Sequence, residues 1–223
     1  VRHEFFCDIK KDGLECSLIY QDGVLLRAVT RGDGRVGEDV TNNVRTIKNV
    51  PLKLQASDDS IFMHGRTEIR GEIVMYKDAF DALNKSRQAA DLPLFKNPRN
   101  LAAGTIRQLD AKLVAERPLT FLGYDLLRDV ASEVPTNMFA YETMTRLGIE
   151  RSPEASVFST IDQVMQFVDE WDTKRDTLPY NTDGLVIKLN DRAQFDALGM
   201  VGKQPRGAVA YKYAAEQATT IVR

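Results

Sequence analysis

The sequence has few of the residues and segments that mark zinc proteins, secreted proteins or membrane proteins. Only two cysteines, Cys7 and Cys16, occur among the 223 residues, and neither belongs to a CxxC motif or a Cys/His cluster. We therefore expect no structural zinc site, and the chain suits a reducing compartment. No apolar run approaches membrane-spanning length, and the first four residues are not typical of a signal peptide.

The sequence also lacks an excess of charge of either sign. The formal net charge is −2, which gives no overall basic field that would attract nucleic acid, although a local basic patch could still bind it. Hydrophobic residues make up 43% of the chain, as in an ordinary soluble globular protein with a real core. There is no starting methionine and a strand begins almost at once, so we expect residues 1–223 to be one domain of a longer protein.

The chain mixes strand and helix signals, with strands concentrated towards both ends. An Asp-Gly turn at 22–23 joins two predicted strands as a hairpin, and a glycine-rich loop follows at 31–40. A short helix capped by Asp39 or Thr41 is expected to run to Ile47. Further strands are predicted within 5–15 and at 67–76, 118–127, 183–191 and 207–215, and helices at 77–90, 97–110, 137–148 and 161–175. This order predicts an α+β fold with antiparallel sheets assembled from distant segments.

The first strand, FFCDIKKDGLE at 5–15, carries more charge than strands usually do. Strand alternation places Phe5, Cys7 and Ile9 on an apolar face and Phe6, Asp8, Lys10 and Asp12 on the other. Lys11 falls on the apolar side at the strand's end, where its stem could reach water. The polar face could be the solvated face of an edge hairpin or part of a functional site.

The same oddity recurs in three later strands. Glu68, Arg70 and Glu72 alternate with apolar residues, and Lys188 follows Val186 on one face. Asp183 has the opposite parity, which predicts a turn or bulge. Lys212 shares its face with three alanines, at 208, 210 and 214, and small neighbours leave a hollow that suits a ligand. A shared anionic ligand would explain all four strands.

The motifs resemble one family in the family's own order. KKDG at 10–13 resembles the KxDG motif of nucleotidyltransferases, whose lysine binds a nucleotide covalently. The segments AVTRGDGRVGEDVTNNVRTI, EIRGEIVM, FKNPRNLAAGTIRQLD, RPLTFLGYDL, TDGLVIKLND and PRGAVAYKY resemble the adenylation domain of bacterial NAD-dependent DNA ligases. The resemblance runs from Phe5 to the C-terminus. It implies an ATP-grasp-like nucleotidyltransferase core, with antiparallel sheets flanked by helices around a nucleotide cleft.

The resemblance also implies an activity and its partners. In this family a lysine takes AMP from NAD, AMP moves to the 5′-phosphate of nicked double-stranded DNA, and the 3′-hydroxyl then displaces AMP. It implies NAD and Mg²⁺ as cofactors, a monomer without membrane association, and a nucleoid-associated place in the bacterial cytoplasm. The family's N-terminal segment, which binds nicotinamide mononucleotide, and its OB-fold, zinc, helix-hairpin-helix and BRCT regions are expected to lie outside this chain. Without these regions, the present chain should bind adenine nucleotide but seal nicks poorly.

The resemblance assigns roles to individual residues. The catalytic group comprises the nucleophile Lys10, the acidic residues Asp12 and Asp183 (the latter also a Mg²⁺ ligand), and the phosphate-binding Lys212. The nucleotide contacts comprise Asp8 at the adenine amino group, Tyr124 and Lys188 at the ring, and Arg31 and Glu72 at the ribose and nucleotide. The DNA contacts comprise Arg99, Arg107 and Arg175. Arg99 and Arg107 are eight residues apart, which predicts one helix face.

Three positions depart from the family's pattern. Asp8 stands where a longer glutamate is usual, so the adenine contact could shift. Gly207 stands where many members have tryptophan, which could enlarge the pocket or loosen the strand, and Leu101 replaces a usual alanine. Two other functions remain open from the sequence: an RNA ligase or capping-type enzyme that uses ATP or GTP, and a non-catalytic module that binds nicked DNA.

Overall fold

The computed structural model describes residues 3–34, 36–57, 60–202 and 204–213. Its strands are β1 (Phe5–Lys11), β2 (Leu14–Gln21), β3 (Val24–Thr30), β4 (Arg66–Met75), β5 (Leu119–Arg128), β6 (Ser156–Phe158), β7 (Thr182–Leu189), β8 (Met200–Val201), β9 (Gln204–Pro205) and β10 (Ala208–Lys212). Its α-helices are α1 (Thr41–Val44), α2 (Lys77–Ala89), α3 (Pro98–Ile106), α4 (Ala111–Ala115), α5 (Asn137–Arg146), α6 (Ile161–Lys174) and α7 (Arg192–Ala197). Short 3₁₀ turns lie at Ile61–Met63, Ala131–Glu133 and Arg175–Thr177.

Two four-stranded antiparallel sheets form the framework, as the sequence predicts. The first has the order β10-β7-β1-β6 and joins the two ends of the chain, and the second has the order β3-β2-β4-β5. The predicted hairpin between β2 and β3 is confirmed, with positive φ at both Asp22 and Gly23. Positive φ at both central residues is the backbone of a type I′ turn. Strand β6 and the small ribbon of β8 and β9 were not predicted.

Strand β1 is a central strand with both faces buried. It lies between β7 and β6, so the interpretation as the solvated face of an edge hairpin is wrong. Phe6 packs in the larger of two hydrophobic cores, which also contains most buried hydrophobic residues of the second sheet and those of α5. Cys7 and Ile9 pack in the smaller core, beneath α6. Burial on both sides means that any charged side chain on this strand needs a partner or an opening.

The helix after the glycine-rich loop is shorter than predicted and lacks a side-chain cap. It begins after Val40 and ends at Val44, not Ile47. The Thr41 hydroxyl accepts a hydrogen bond from the backbone N–H of Ala28 at 2.9 Å and is therefore held against β3. Asp39 instead accepts from the Thr41 backbone N–H at 3.0 Å, which anchors the end of the loop at 31–40.

Candidate active site

A cavity of about 580 Å³ lies between the two sheets. This volume is typical of a site for a small organic ligand. The first sheet contributes β1 and β7, the second contributes β2, β4 and β5, and one turn of α3 and the loop after β3 close the rim. The side chains used below that line the cavity are Asp8, Lys10, Lys11, Glu15, Arg31, Glu72, Arg99, Arg107, Tyr124, Tyr141 and Lys188.

Lys10 meets Asp183 at a bulge between β1 and β7. Lys10 pairs with Gly184 across the strands, whereas Lys11 pairs with Thr182, so Asp183 is the extra residue on β7. This confirms the predicted turn or bulge at Asp183. The Lys10 ammonium donates to both carboxylate oxygens, at 2.9 and 3.1 Å. Its side chain is 31% exposed, so it reaches the cavity while remaining held by a carboxylate.

Lys11 does not reach water, and that prediction is wrong. The bulge shifts the register after Lys10 and turns Lys11 inward, where its side chain is only 2% exposed. Its ammonium donates to Asp8 Oδ2 at 2.6 Å and to the Ile9 carbonyl at 3.3 Å. Of two adjacent lysines, Lys10 is therefore the accessible one, and Lys11 is bound to a buried carboxylate.

Lys212 lies in the same row of the sheet as Lys10. Both residues pair with Gly184, one from each side of β7. Residues in one cross-strand row project to the same face, and two strand spacings separate them by about 10 Å. A Cβ on Gly184 would stand 2.0 Å from the Tyr211 carbonyl oxygen, so the row requires glycine there. Lys212 is exposed and does not line the cavity, so the predicted hollow around it is not part of this cavity. Ala214, which was predicted to share its face, lies outside the described residues.

Two carboxylates face each other across β2 and β4 in the cavity wall. Glu15 and Glu72 are directly paired in register, and no local pattern predicted this role of Glu15. Burial first, and then the Glu15 charge, raises the pKa of Glu72 to about 7, against the lowering effect of Lys10. Burial and the same two carboxylates raise the pKa of Tyr124 above its usual range, so the phenol keeps its proton.

Glu72→Gln is expected to stabilise the free protein above neutral pH. A carboxyl group with a pKa of about 7 when folded and 4.5 when unfolded contributes stability that is complete below pH 4.5 and is lost as the pH rises through 7. The glutamine variant should therefore gain about 2–3 kcal/mol at pH 8 and little at pH 4.5. Urea denaturation across this range checks it, and a gain independent of pH would contradict it.

Of the four arginines predicted to bind nucleotide or DNA, three line the cavity and one lies away from it. Arg99 and Arg107 both line the cavity, but α3 ends at Ile106, short of the predicted residue 110, so Arg107 follows the helix rather than sharing a face of it. Arg99 pairs with Asp12 at 2.9 Å, and Arg107 with Glu38 at 2.6 Å. Arg31 also lines the cavity and pairs with Glu15 at 3.3 Å. Arg175 instead lies over the Tyr213 ring at 4.9 Å, outside the cavity lining.

Each of the three departures from the family's pattern has a defined place in the structure. Gly207 does not enlarge the cavity, because the Phe195 ring packs against it and a Cβ there would lie 2.5 Å from that ring. Leu101 is buried in the larger core, on the inner side of α3. Asp8 is buried and accepts hydrogen bonds from Ser152 at 2.7 Å, from Tyr141 and from Lys11. Neither Tyr141 nor Ser152 was predicted, since both come from distant segments.

The carboxylates of the site do not form a preassembled metal cage. Within the described ranges, no group of three or more histidine, cysteine, aspartate or glutamate residues is placed to hold a metal ion. Both carboxylate oxygens of Asp183, the expected Mg²⁺ ligand, accept hydrogen bonds from Lys10. Among the same residues, none of the helices is both long and apolar enough to span a membrane.

The sequence is similar to one family of known proteins along most of its length. The model of the NAD-dependent DNA ligase adenylation domain family matches residues 1–216. The chain is 47% identical over 221 residues to the DNA ligase of Thermomicrobium roseum, covering 99% of this chain and 32% of the relative. It is 46% identical over 217 residues to the DNA ligase of Carboxydothermus hydrogenoformans, covering 97% of this chain and again 32% of the relative. The chain thus spans about a third of these relatives.

A solved structure supports the fold. Mycobacterial DNA ligase D, complexed with ATP and MES, matches with a TM-score of 0.51 over 94% of this chain and 55% of that chain. The sequence identity is 15%, so this likeness concerns the fold alone. Together with the two antiparallel sheets, it confirms the predicted nucleotidyltransferase fold.

Proposed function

The chain belongs to the NAD-dependent DNA ligase adenylation domain family, and we propose that it transfers AMP from NAD to Lys10 and then to the 5′-phosphate of nicked duplex DNA. One observation carries the proposal. The accessible lysine of the KxDG motif opens into a cavity of nucleotide size, and its ammonium is held by Asp183. The neighbouring lysine is unsuited to attack because it is buried and paired with Asp8.

The chemistry follows from the position of the Lys10 amine. The ammonium must lose a proton before its nitrogen lone pair can attack the α-phosphorus of NAD, and Asp183 lies within hydrogen-bond reach to accept that proton. The new N–P bond forms as the bond from phosphorus to the bridging oxygen breaks, and nicotinamide mononucleotide leaves with that oxygen. Lys212, in the same row as Lys10, would stabilise the developing negative charge.

The cavity walls supply contacts for the adenosine half. Tyr124 from β5 and Lys188 from β7 line the cavity from opposite sheets and would bracket the base, since any base can stack on an aromatic ring. Asp8 would accept from the adenine amino group, and Glu72 with Arg31 would bind the ribose and phosphate. Mg²⁺, held chiefly by phosphate oxygens as this ion prefers, would neutralise the diphosphate.

The proposal is tested by intact mass after incubation with Mg²⁺ and NAD, with ATP and GTP in parallel samples. We expect an increase of one AMP with NAD and none with ATP. An adduct from ATP or GTP would instead indicate the RNA-ligase or capping-type alternative. If no adduct forms even when the N-terminal region of a relative is supplied in trans, a non-catalytic nick-binding module would be favoured.

Asp183→Asn is expected to slow Lys10 adenylation by about 10²-fold. The amide keeps the shape of the side chain and one acceptor oxygen, but it cannot take the proton that Lys10 must lose. Single-turnover rates of AMP incorporation measure the change. The matched control is Asp12→Asn, whose carboxylate pairs with Arg99 rather than Lys10, and which should slow the step less. Equal losses of adenylation rate in both variants would show that Asp183 does not accept the proton from Lys10.

Arg99→Ala and Arg107→Ala should each weaken binding to nicked duplex DNA and reduce its salt dependence. An arginine that neutralises one phosphate contributes about one unit to the slope of log affinity against log salt. Binding measured between 50 and 200 mM salt tests this. Arg146→Ala is the control, because Arg146 lies over Phe139 away from the cavity, and its slope should not change. An unchanged slope for Arg99→Ala would show that Arg99 does not contact a DNA phosphate.

A further inference from the structure

Behind the cavity, three donors from different parts of the chain converge on the Asp8 carboxylate. Lys11 and Tyr141 donate to Oδ2, and Ser152 donates to Oδ1. The Asp8 side chain is only 5% exposed, yet Asp8 lines the cavity that the proposed function assigns to adenosine. A buried carboxylate needs such partners, because an isolated buried charge is strongly disfavoured.

The donors leave the carboxylate with a limited and defined capacity. A carboxylate has about four acceptor positions, two on each oxygen. Oδ2 receives Lys11 and Tyr141, while Oδ1 receives only Ser152 among the described residues. Burial and the Asp8 charge raise the pKa of Tyr141 well above its usual range, so the phenol remains a donor. Oδ1 can therefore accept one more hydrogen bond.

We propose that Lys11 is a specificity-determining positioning residue, which holds Asp8 as an ionised acceptor and so selects adenine over 6-oxopurines. This inference rests on the proposed function, in which Asp8 meets position 6 of the base. Adenine presents an amino donor there, and hypoxanthine or guanine presents an oxygen that an ionised carboxylate repels. A protonated Asp8 could donate a hydrogen bond to that oxygen, and the site would then no longer distinguish adenine from 6-oxopurines. Among the residues that the structure describes, Lys11 supplies the one positive charge in direct contact with this carboxylate.

The register bulge is what makes this possible. Lys11 lies three residues after Asp8, a spacing that puts two side chains on opposite faces of a regular strand. The shift between Lys10 and Lys11 returns Lys11 to the Asp8 side. The same bulge exposes Asp183 to Lys10, so one irregularity positions both the nucleophile and the base-recognition carboxylate.

The test compares the affinities for AMP and IMP, which differ at position 6 and in the proton that IMP carries on N1, by calorimetry. Wild-type protein should prefer AMP by at least about 10-fold, because a buried acceptor left facing an oxygen loses a hydrogen bond. Lys11→Met should bring this ratio to within about 3-fold. Ser152→Ala is the matched control: it removes a neutral donor from the same carboxylate, so both affinities should fall while the preference for AMP persists. If Lys11→Met does not fold, Lys11→Gln, which keeps a neutral donor, should likewise reduce the ratio.

A double-variant comparison separates a role through Asp8 from a general structural role. Asp8→Asn removes the charge that Lys11 neutralises, so adding Lys11→Met to it should leave the AMP/IMP ratio unchanged. A ratio that stays at the wild-type value in both Lys11 variants, or that falls equally in Ser152→Ala, would overturn the inference. A wild-type chain that binds neither nucleotide would instead overturn the proposed function, and this inference with it.

Discussion

Lys10→Ala is expected to abolish the AMP adduct, leaving less than about one part in 10³ of the wild-type rate. Lys10 is the accessible amine of the KxDG motif, and Lys11 cannot replace it because its nitrogen is bonded to Asp8 and the Ile9 carbonyl. Intact mass after long incubation with NAD measures the loss. AMP affinity should change little, because the base and ribose contacts lie on other residues.

Lys10→Arg is the matched variant for this prediction. Arginine keeps the positive charge and a partner for Asp183, but its guanidinium does not deprotonate in proteins and cannot act as the nucleophile. We expect no adduct from it, with AMP affinity close to wild type. An adduct in either variant would show that another residue carries AMP.

Lys11→Met is expected to destabilise the fold by about 3–5 kcal/mol. Removing one partner of a buried ion pair leaves the other charge buried without compensation, which costs far more than losing a surface pair. The two side chains of this pair are only 2% and 5% exposed. Denaturant unfolding with linear extrapolation measures the loss. The Asp8→Asn, Lys11→Met double variant should recover most of it, because both charges are gone.

Lys10→Met provides the comparison within the same strand. Lys10 is also paired with an aspartate, but both side chains are about one-third exposed and solvent screens them. Pairs of that kind contribute about 0–1 kcal/mol. Equal losses for the two methionine variants would show that burial does not govern the energetics of these two pairs.

The sequence predicted the elements and most of the site, because both depend on local patterns. Alternation identified the polar faces that contain Lys10, Glu72 and Lys188, and parity alone indicated an irregularity at Asp183. The ordered motifs predicted the roles, and the helix spacing placed Arg99 and Arg107 together. The inferences from alternation, parity and spacing use residues that are close together along the chain, whereas the order of the motifs extends along most of it.

The failures concern partners that are distant along the chain. Lys11 was expected in water because alternation assumes a regular strand, and the bulge that reverses it depends on pairing with β7, over 170 residues away. Glu15 opposes Glu72 only because of the register between β2 and β4. Ser152 and Tyr141 reach Asp8 through tertiary packing, which no local period encodes. Strand register and burial therefore decided the electrostatics of the site.

The proposed role of Lys10 is tested most directly by locating AMP within the peptide that contains both lysines. Cleavage after Glu4 and Glu15 at neutral pH, which spares an acid-labile phosphoramidate, releases residues 5–15 as one fragment, and tandem mass spectrometry distinguishes the two positions. After incubation with NAD and Mg²⁺, we expect AMP on Lys10 alone. AMP on Lys11, or on a residue outside this fragment, would contradict this role.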